Sequence, residues 1–174
     1  MVKDAFVVAF RLPNLFRRLL GEGSLSVSFI PVYVDQLNNE NQQAARELAG
    51  SIWAILMMVT SVLCALGVIF MPSVMEVLVP GKQYQSIPGK VDLTILLARV
   101  MFLYLFLVTS YAFLMAVCQS HKRFFGPAVA PAFFNLMVIV FALIPDAYVG
   151  GISGMQLAIG VLVGGFVQLF MVVW

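Results

Sequence analysis

The fold class this sequence predicts is all-α, a polytopic membrane helix bundle, and three observations carry that expectation. Of 174 residues, 62% are hydrophobic and 10% charged, whereas soluble domains carry roughly a quarter charged residues. The mean hydropathy of +1.01 leaves too little polar surface to coat a water-soluble globule. Charge-free runs cover residues 48–75, 100–120, 124–145 and 147–174, each long enough for the roughly 20 apolar residues that cross a bilayer core.

About five spans follow, in a single transmembrane domain over residues 1–174. The first, 4–34, is apolar but interrupted by Arg11, Arg17, Arg18 and Glu22. At 1.5 Å per residue it would reach about 46 Å, beyond the roughly 30 Å hydrocarbon layer. It therefore reads as one long or kinked helix, with Pro13, Gly21, Gly23 and Pro31 as bend points. Residues 35–47, rich in Asn and Gln, form an aqueous stretch whose second half could continue as the amphipathic lead-in to the next span. The second span, 48–71, is ended by Pro72. The next loop carries two Pro-Gly turn signals, Pro80-Gly81 and Pro88-Gly89, and Lys82, Lys90 and Asp92 keep it wet. The third span, 93–119, has Arg99 near its start, read as an interfacial anchor. A basic turn, 120–123, leads to the fourth span, 127–145, with Pro127 at an acceptable opening position. A glycine-rich link then precedes the fifth, 154–174. The lack of a tail at either end and the odd number of spans point to a fragment of a longer chain, since transporter repeats come in matched halves.

Several function classes drop out. A net charge of +2 without a basic tract gives no nucleic-acid partner. Cys64 and Cys118 form no metal-ligand or CxxC spacing and read as small packing residues. No metal or cofactor motif is present, and no Ser-His-Asp set, so no catalytic residue is assigned and the protein is read as no enzyme. Residues 5–10 are too short an apolar stretch for a cleavable signal. Counting basic residues on alternate sides gives four against three, which leaves orientation undecided. His121 reads as a solvated loop residue, Asn135 as an interhelical hydrogen-bonder, and Trp53 and Trp174 as interfacial belt residues.

Function concentrates in the first helix. An Arg or Asp at mid-span costs about 2.5–3.5 kcal/mol on insertion scales, so it persists only when partnered or facing water. At 100° per residue, Asp4, Arg11, Arg18 and Glu22 fall within about 40° of one another, with Arg17 about 100° from Arg18. Arg18 and Glu22, an i, i+4 pair, could merely neutralise each other, and Arg17 could snorkel to headgroups. Three arginines against two acids leave surplus cation, and the planar guanidinium fork suits phosphate oxygens. An anionic headgroup is the natural ligand class.

The run Asp4-Ala5-Phe6-Val7-Val8-Ala9-Phe10-Arg11-Leu12-Pro13-Asn14-Leu15-Phe16-Arg17-Arg18, followed by Glu22-Gly23 and Phe29-Ile30-Pro31-Val32, closely resembles the MurJ (MviN) family of lipid II flippases. Arg123-Phe124, Pro127-Ala128, Ala130-Pro131 and Asn135 form a second, supporting match, and Val163-Gly164-Gly165 with Gln168 a third. The resemblance covers essentially the whole chain. It implies an all-helical, two-lobed transporter of about fourteen spans in the multidrug/oligosaccharidyl-lipid/polysaccharide exporter superfamily. Its partner would be the undecaprenyl-diphosphate-linked peptidoglycan precursor, carried through a cationic cavity across the bacterial cytoplasmic (inner) membrane by alternating access. By that match Asp4, Arg17 and Glu22 fall on charged positions the family depends on and Arg11 where the family has Lys or Arg. With Arg18, which the helical wheel adds, they make up the expected substrate-binding set. The match also places loop 35–47 and turn 120–123 on the cytoplasmic side. This chain would supply helices two to six, most of one lobe, the missing helices of the full-length transporter closing the cavity. Within the superfamily, an exporter of another polysaccharide-lipid or of a drug is the alternative; a membrane enzyme acting on a lipid diphosphate ranks last.

Overall fold

The computed structural model describes residues 2–19, 25–38, 42–79, 81, 84 and 86–173, and no strand occurs among them. Among the described residues eight α-helices follow one another. They are α1 (Val2–Leu19), α2 (Leu25–Asn38), α3 (Gln42–Ile69), α4 (Met71–Leu78), α5 (Lys90–Phe102), α6 (Tyr104–Ser120), α7 (Phe125–Ala142) and α8 (Met155–Val173). Residues 20–24, where one long first span was expected to bend, lie outside the described residues; α1 and α2 flank them. Pro13 is fully buried inside a continuous α1.

Four helical runs among the described residues are long and apolar enough to cross a membrane: α3, the joined α5–α6, α7 and α8. α1 carries Lys3, Asp4, Arg11, Arg17 and Arg18, and α2 has only 14 residues; neither is among the four. α3 exposes Ile55, Met58, Val59, Val62, Leu66 and Ile69. A contiguous apolar surface of this kind is untenable in water and natural against acyl chains.

The central mast is α5–α6. These two helices meet at Leu103, whose φ of −63° and ψ of −24° keep the backbone right-handed helical, so the 31 residues from Lys90 to Ser120 act nearly as one rod. One core cluster joins it to α1, α3, α4 and α8 through Ala5, Val8, Ala9, Cys64, Met71, Met75, Leu97, Met101, Tyr104 and Val161. A second packs Phe29 and Tyr33 of α2 with Ala45 of α3 on Phe113 and Ala116 of α6. A third seats Ala130 of α7 and Val172 of α8 on Tyr111. The starts of α1, α5 and the link before α8 share one end of the bundle, because Gly154 abuts both Val2 and Leu97. The end of α2 and the turn after α6 share the other, where the Tyr33 hydroxyl and His121 Nε2 lie 3.3 Å apart.

Parts of the two supporting motifs serve packing. The Pro127 carbonyl accepts a 3.0 Å bond from the Tyr111 hydroxyl, and buried Gln168 accepts one from Tyr104 at 3.4 Å. Gly164 and Gly165 let Phe134 and Tyr104 lie directly on the α8 backbone, the small-residue contact that membrane helices favour. Asn135, expected between helices, is exposed on α7.

At Gly67, where α3 meets α5, an added Cβ would overlap the Phe102 ring, whereas at Gly50 it would meet nothing within 4 Å. Gly67→Ala is therefore expected to destabilise by roughly 1–3 kcal/mol, as overpacking does. Gly50→Ala should be neutral or stabilising by up to about 1 kcal/mol. Thermal unfolding in detergent checks the pair; equal effects would contradict the packing described.

Candidate functional site

α1 has two faces, and the sequence spacing produces both. Ala5, Val8, Ala9 and Pro13 are buried, with Leu12 and Phe16 half-buried beside them, the i, i+3, i+4 pattern of a helix seated on a core. The opposite stripe, Asp4, Val7, Arg11, Leu15 and Arg18, is exposed throughout. One turn of helix rises about 5.4 Å, so Asp4, Arg11 and Arg18 stand about 10 Å apart in a line. The stripe alternates charge with Val7 and Leu15, 49% and 51% exposed.

The members of this line differ in their partners. The Asp4 carboxylate accepts a 2.9 Å charged hydrogen bond from Lys90 Nζ, the one ion pair among the described residues. The two sides of that pair are unequal: the Lys90 side chain is 6% exposed and the Asp4 side chain 60%. Lys90 Nζ also sits 4.1 Å from the centre of the Tyr84 ring, a cation–π contact. The Tyr84 and Thr94 hydroxyls are 2.8 Å apart, and Thr94 donates to the Lys90 carbonyl. Beside them opens a cavity of about 510 Å³ lined by Met75, Glu76, Val79, Tyr84, Val91 and Thr94. Arg11 and Arg18 are exposed cations on α1. The side chain of Arg17 and all of Glu22 lie outside the described residues, so the Arg18–Glu22 pairing considered from sequence does too.

Lys90 was not legible as a site residue. It follows Pro88-Gly89, reads as part of a wet loop, and lies 86 positions from Asp4. Gly89, at φ +72°, is the left-handed residue that turns the chain into α5 and swings Lys90 inward. The only available signal was two opposite charges at the starts of two helices. No group of three His, Cys, Asp or Glu side chains that could hold a metal occurs among the described residues.

Comparison with known proteins gives one family. A family model described as lipid II flippase MurJ matches residues 1–173. A probable lipid II flippase MurJ of Bdellovibrio bacteriovorus is 40% identical over 168 residues, 96% of this chain and 32% of that one. Its counterpart in Rickettsia prowazekii is 33% identical over 165 residues, again 32% of its length. The chain thus spans about a third of the curated relatives it matches. Among solved structures, lipid II flippase MurJ in an inward closed conformation superposes with a TM-score of 0.79 at 20% identity, over 99% of this chain and 35% of the other. That likeness establishes the shared fold.

The asymmetric burial of the Asp4–Lys90 pair makes a directional prediction. Asp4→Asn strands a buried ammonium and should lower the unfolding temperature clearly. Lys90→Met leaves only a carboxylate that water can solvate, and should cost less. The double substitution should match Lys90→Met alone. Thermal unfolding of the three variants checks this; equal single-mutant losses would show that the burial asymmetry does not matter.

Proposed function

Because the chain belongs to the lipid II flippase MurJ family, we propose that it forms one wall of a transporter for an undecaprenyl-diphosphate-linked peptidoglycan precursor in the bacterial cytoplasmic membrane. The observation that carries this reading is the exposed stripe of α1, where Arg11 and Arg18 stand in line on the face turned away from the core. A diphosphate offers oxygens on two phosphorus atoms, and two guanidinium forks a short helical distance apart can grip it bidentately. Arg17 and Glu22, next along the chain, complete the set of proposed binding positions with Asp4. Asp4, neutralised by Lys90 at one end of the stripe, leaves the arginines the surplus charge that draws the anion.

Transport then needs little chemistry from the protein. The cations replace the headgroup's lost hydration inside a water-filled cavity, while the polyprenyl tail stays among acyl chains beside Val7 and Leu15. The remaining two thirds of the length seen in the relatives would supply the opposite wall, and alternating access would expose the stripe to each side in turn. A cavity for cationic drugs would want acids on this face; its described charged members beyond Asp4 are arginines.

The test uses a full-length homologue carrying this segment, reconstituted in liposomes with a fluorescent lipid-diphosphate substrate. Arg11→Ala and Arg18→Ala should each slow translocation roughly tenfold or more, the effect of removing one charged hydrogen-bond donor. Arg11→Lys keeps the charge but loses the fork, so its rate should fall between those of the native protein and Arg11→Ala. Unchanged rates for the double alanine variant, at normal abundance, would overturn the assignment.

A further inference from the structure

Val68 and Pro72 are four residues apart. In an unbroken helix, the N–H of residue 72 would bond the carbonyl of residue 68. Proline has no N–H, so the Val68 carbonyl loses its helical partner, at the end of an apolar span where water is scarce. The helix breaks here: Phe70, with φ −90° and ψ 11°, separates α3 from α4. Arg99 of α5, half-buried, meets the vacancy, its Nε donating to the Val68 carbonyl at 3.0 Å. Where an interfacial anchor was expected, the side chain turns across to α3.

The seam around that bond is tight. Gly67 carries the Phe102 ring on its backbone, and Cys64 Sγ donates to the Phe102 carbonyl at 3.6 Å. Just past the break, Met71 and Met75 of α4 are 0% and 3% exposed and share the core cluster with Ala5, Val8 and Ala9 of α1. The direction in which α4 leaves the break therefore bears on the seat of α1 and on the wall of the cavity that Met75 and Glu76 line.

We propose that Arg99 is a positioning residue for the α3–α4 break. Its guanidinium supplies the hydrogen bond that Pro72 withholds, pins the break to α5, and so holds α4 against the core that seats α1. This stands on the Arg99–Val68 geometry and is independent of the cargo. It also separates cleanly from an anchoring role: an arginine reaching for headgroups is indifferent to Pro72, whereas a clamp on the Val68 carbonyl becomes redundant once position 72 can donate.

The experiment is amide hydrogen exchange on the whole chain in nanodiscs, for the native sequence, Arg99→Met, Pro72→Ala and the double variant. Arg99→Met should speed exchange at Val74 and Met75 roughly tenfold, as loss of one charged donor would, with α7 and α8 unchanged. In the Pro72→Ala background the same substitution should change those amides by less than about twofold, because the backbone N–H now serves Val68. Equal effects of Arg99→Met in both backgrounds, or none in either, overturn the proposal. Should Arg99→Met alone fail to fold, the double variant decides: native exchange supports the clamp, and failure to fold overturns it.

Discussion

The constraint on which this structure depends is the scarcity of water along its length. In hydrocarbon a polar group must find its partner within the protein, and the described contacts read as a set of such solutions. Thr94, Thr109, Ser110 and Ser120 each donate to the carbonyl four residues back in the same rod, the local closure open to hydroxyls in a helix. These hydroxyls are satisfied where they stand, so their burial marks no ligand. Tyr104 and Tyr111 are too long to close on their own turn and reach Gln168 and the Pro127 carbonyl instead. The second kind of solution joins helices, and it gives the bundle its specificity where apolar packing alone, against equally apolar lipid, supplies little preference.

The same rule divides the molecule by function. Lys90 is buried and spends its charge on Asp4 and the Tyr84 ring; Arg99 spends its own on a carbonyl that proline has orphaned. Both are consumed by the fold. Arg11 and Arg18 stand on a face from which the core has withdrawn, and a charge kept there is tolerable only against water or a bound anion. α1 can bear that face because its other side is so well seated: small residues at positions 5 and 9 are fully buried, bringing the helix close to the mast. A firm seat behind and exposed arginines in front is the arrangement the proposed binding wall calls for.

How much of this was legible follows from how far each signal reaches along the chain. Spans are local, and the expected spans 48–71, 93–119, 127–145 and 154–174 fall on α3, α5–α6, α7 and α8 with ends a few residues apart. The largest shift is α3, which begins at Gln42 rather than 48 because Gln and Arg are good helix formers that extend the rod into water. The two-faced character of α1 is also local, since a period of 3.6 residues is enough to separate Asp4, Arg11 and Arg18 from Ala5, Val8 and Ala9. What could not be read was every pairing across the bundle. Lys90 looked wet because its neighbours are turn residues, and only Gly89's left-handed backbone shows that it points inward. Arg99 looked like an anchor because its distance from the helix start is right for one.

One part of the Arg99 contact was nonetheless available in principle, and it bears on how arginines in membrane sequences should be sorted. A proline inside or just beyond an apolar run announces an orphan carbonyl four positions earlier, so Pro72 names Val68 without any structure. Whether that carbonyl is met by water, a hydroxyl or a cation depends on the facing helix, and a lone cation on the next span at comparable depth is a natural donor. Arg99 satisfies that condition; Arg11 and Arg18 do not, since Pro13 sits in their own helix with its orphan at Ala9, on the buried side of α1, away from the stripe. Arginines that a proline can claim are thereby separated from those that none can, and in this chain the second class coincides with the exposed face of α1.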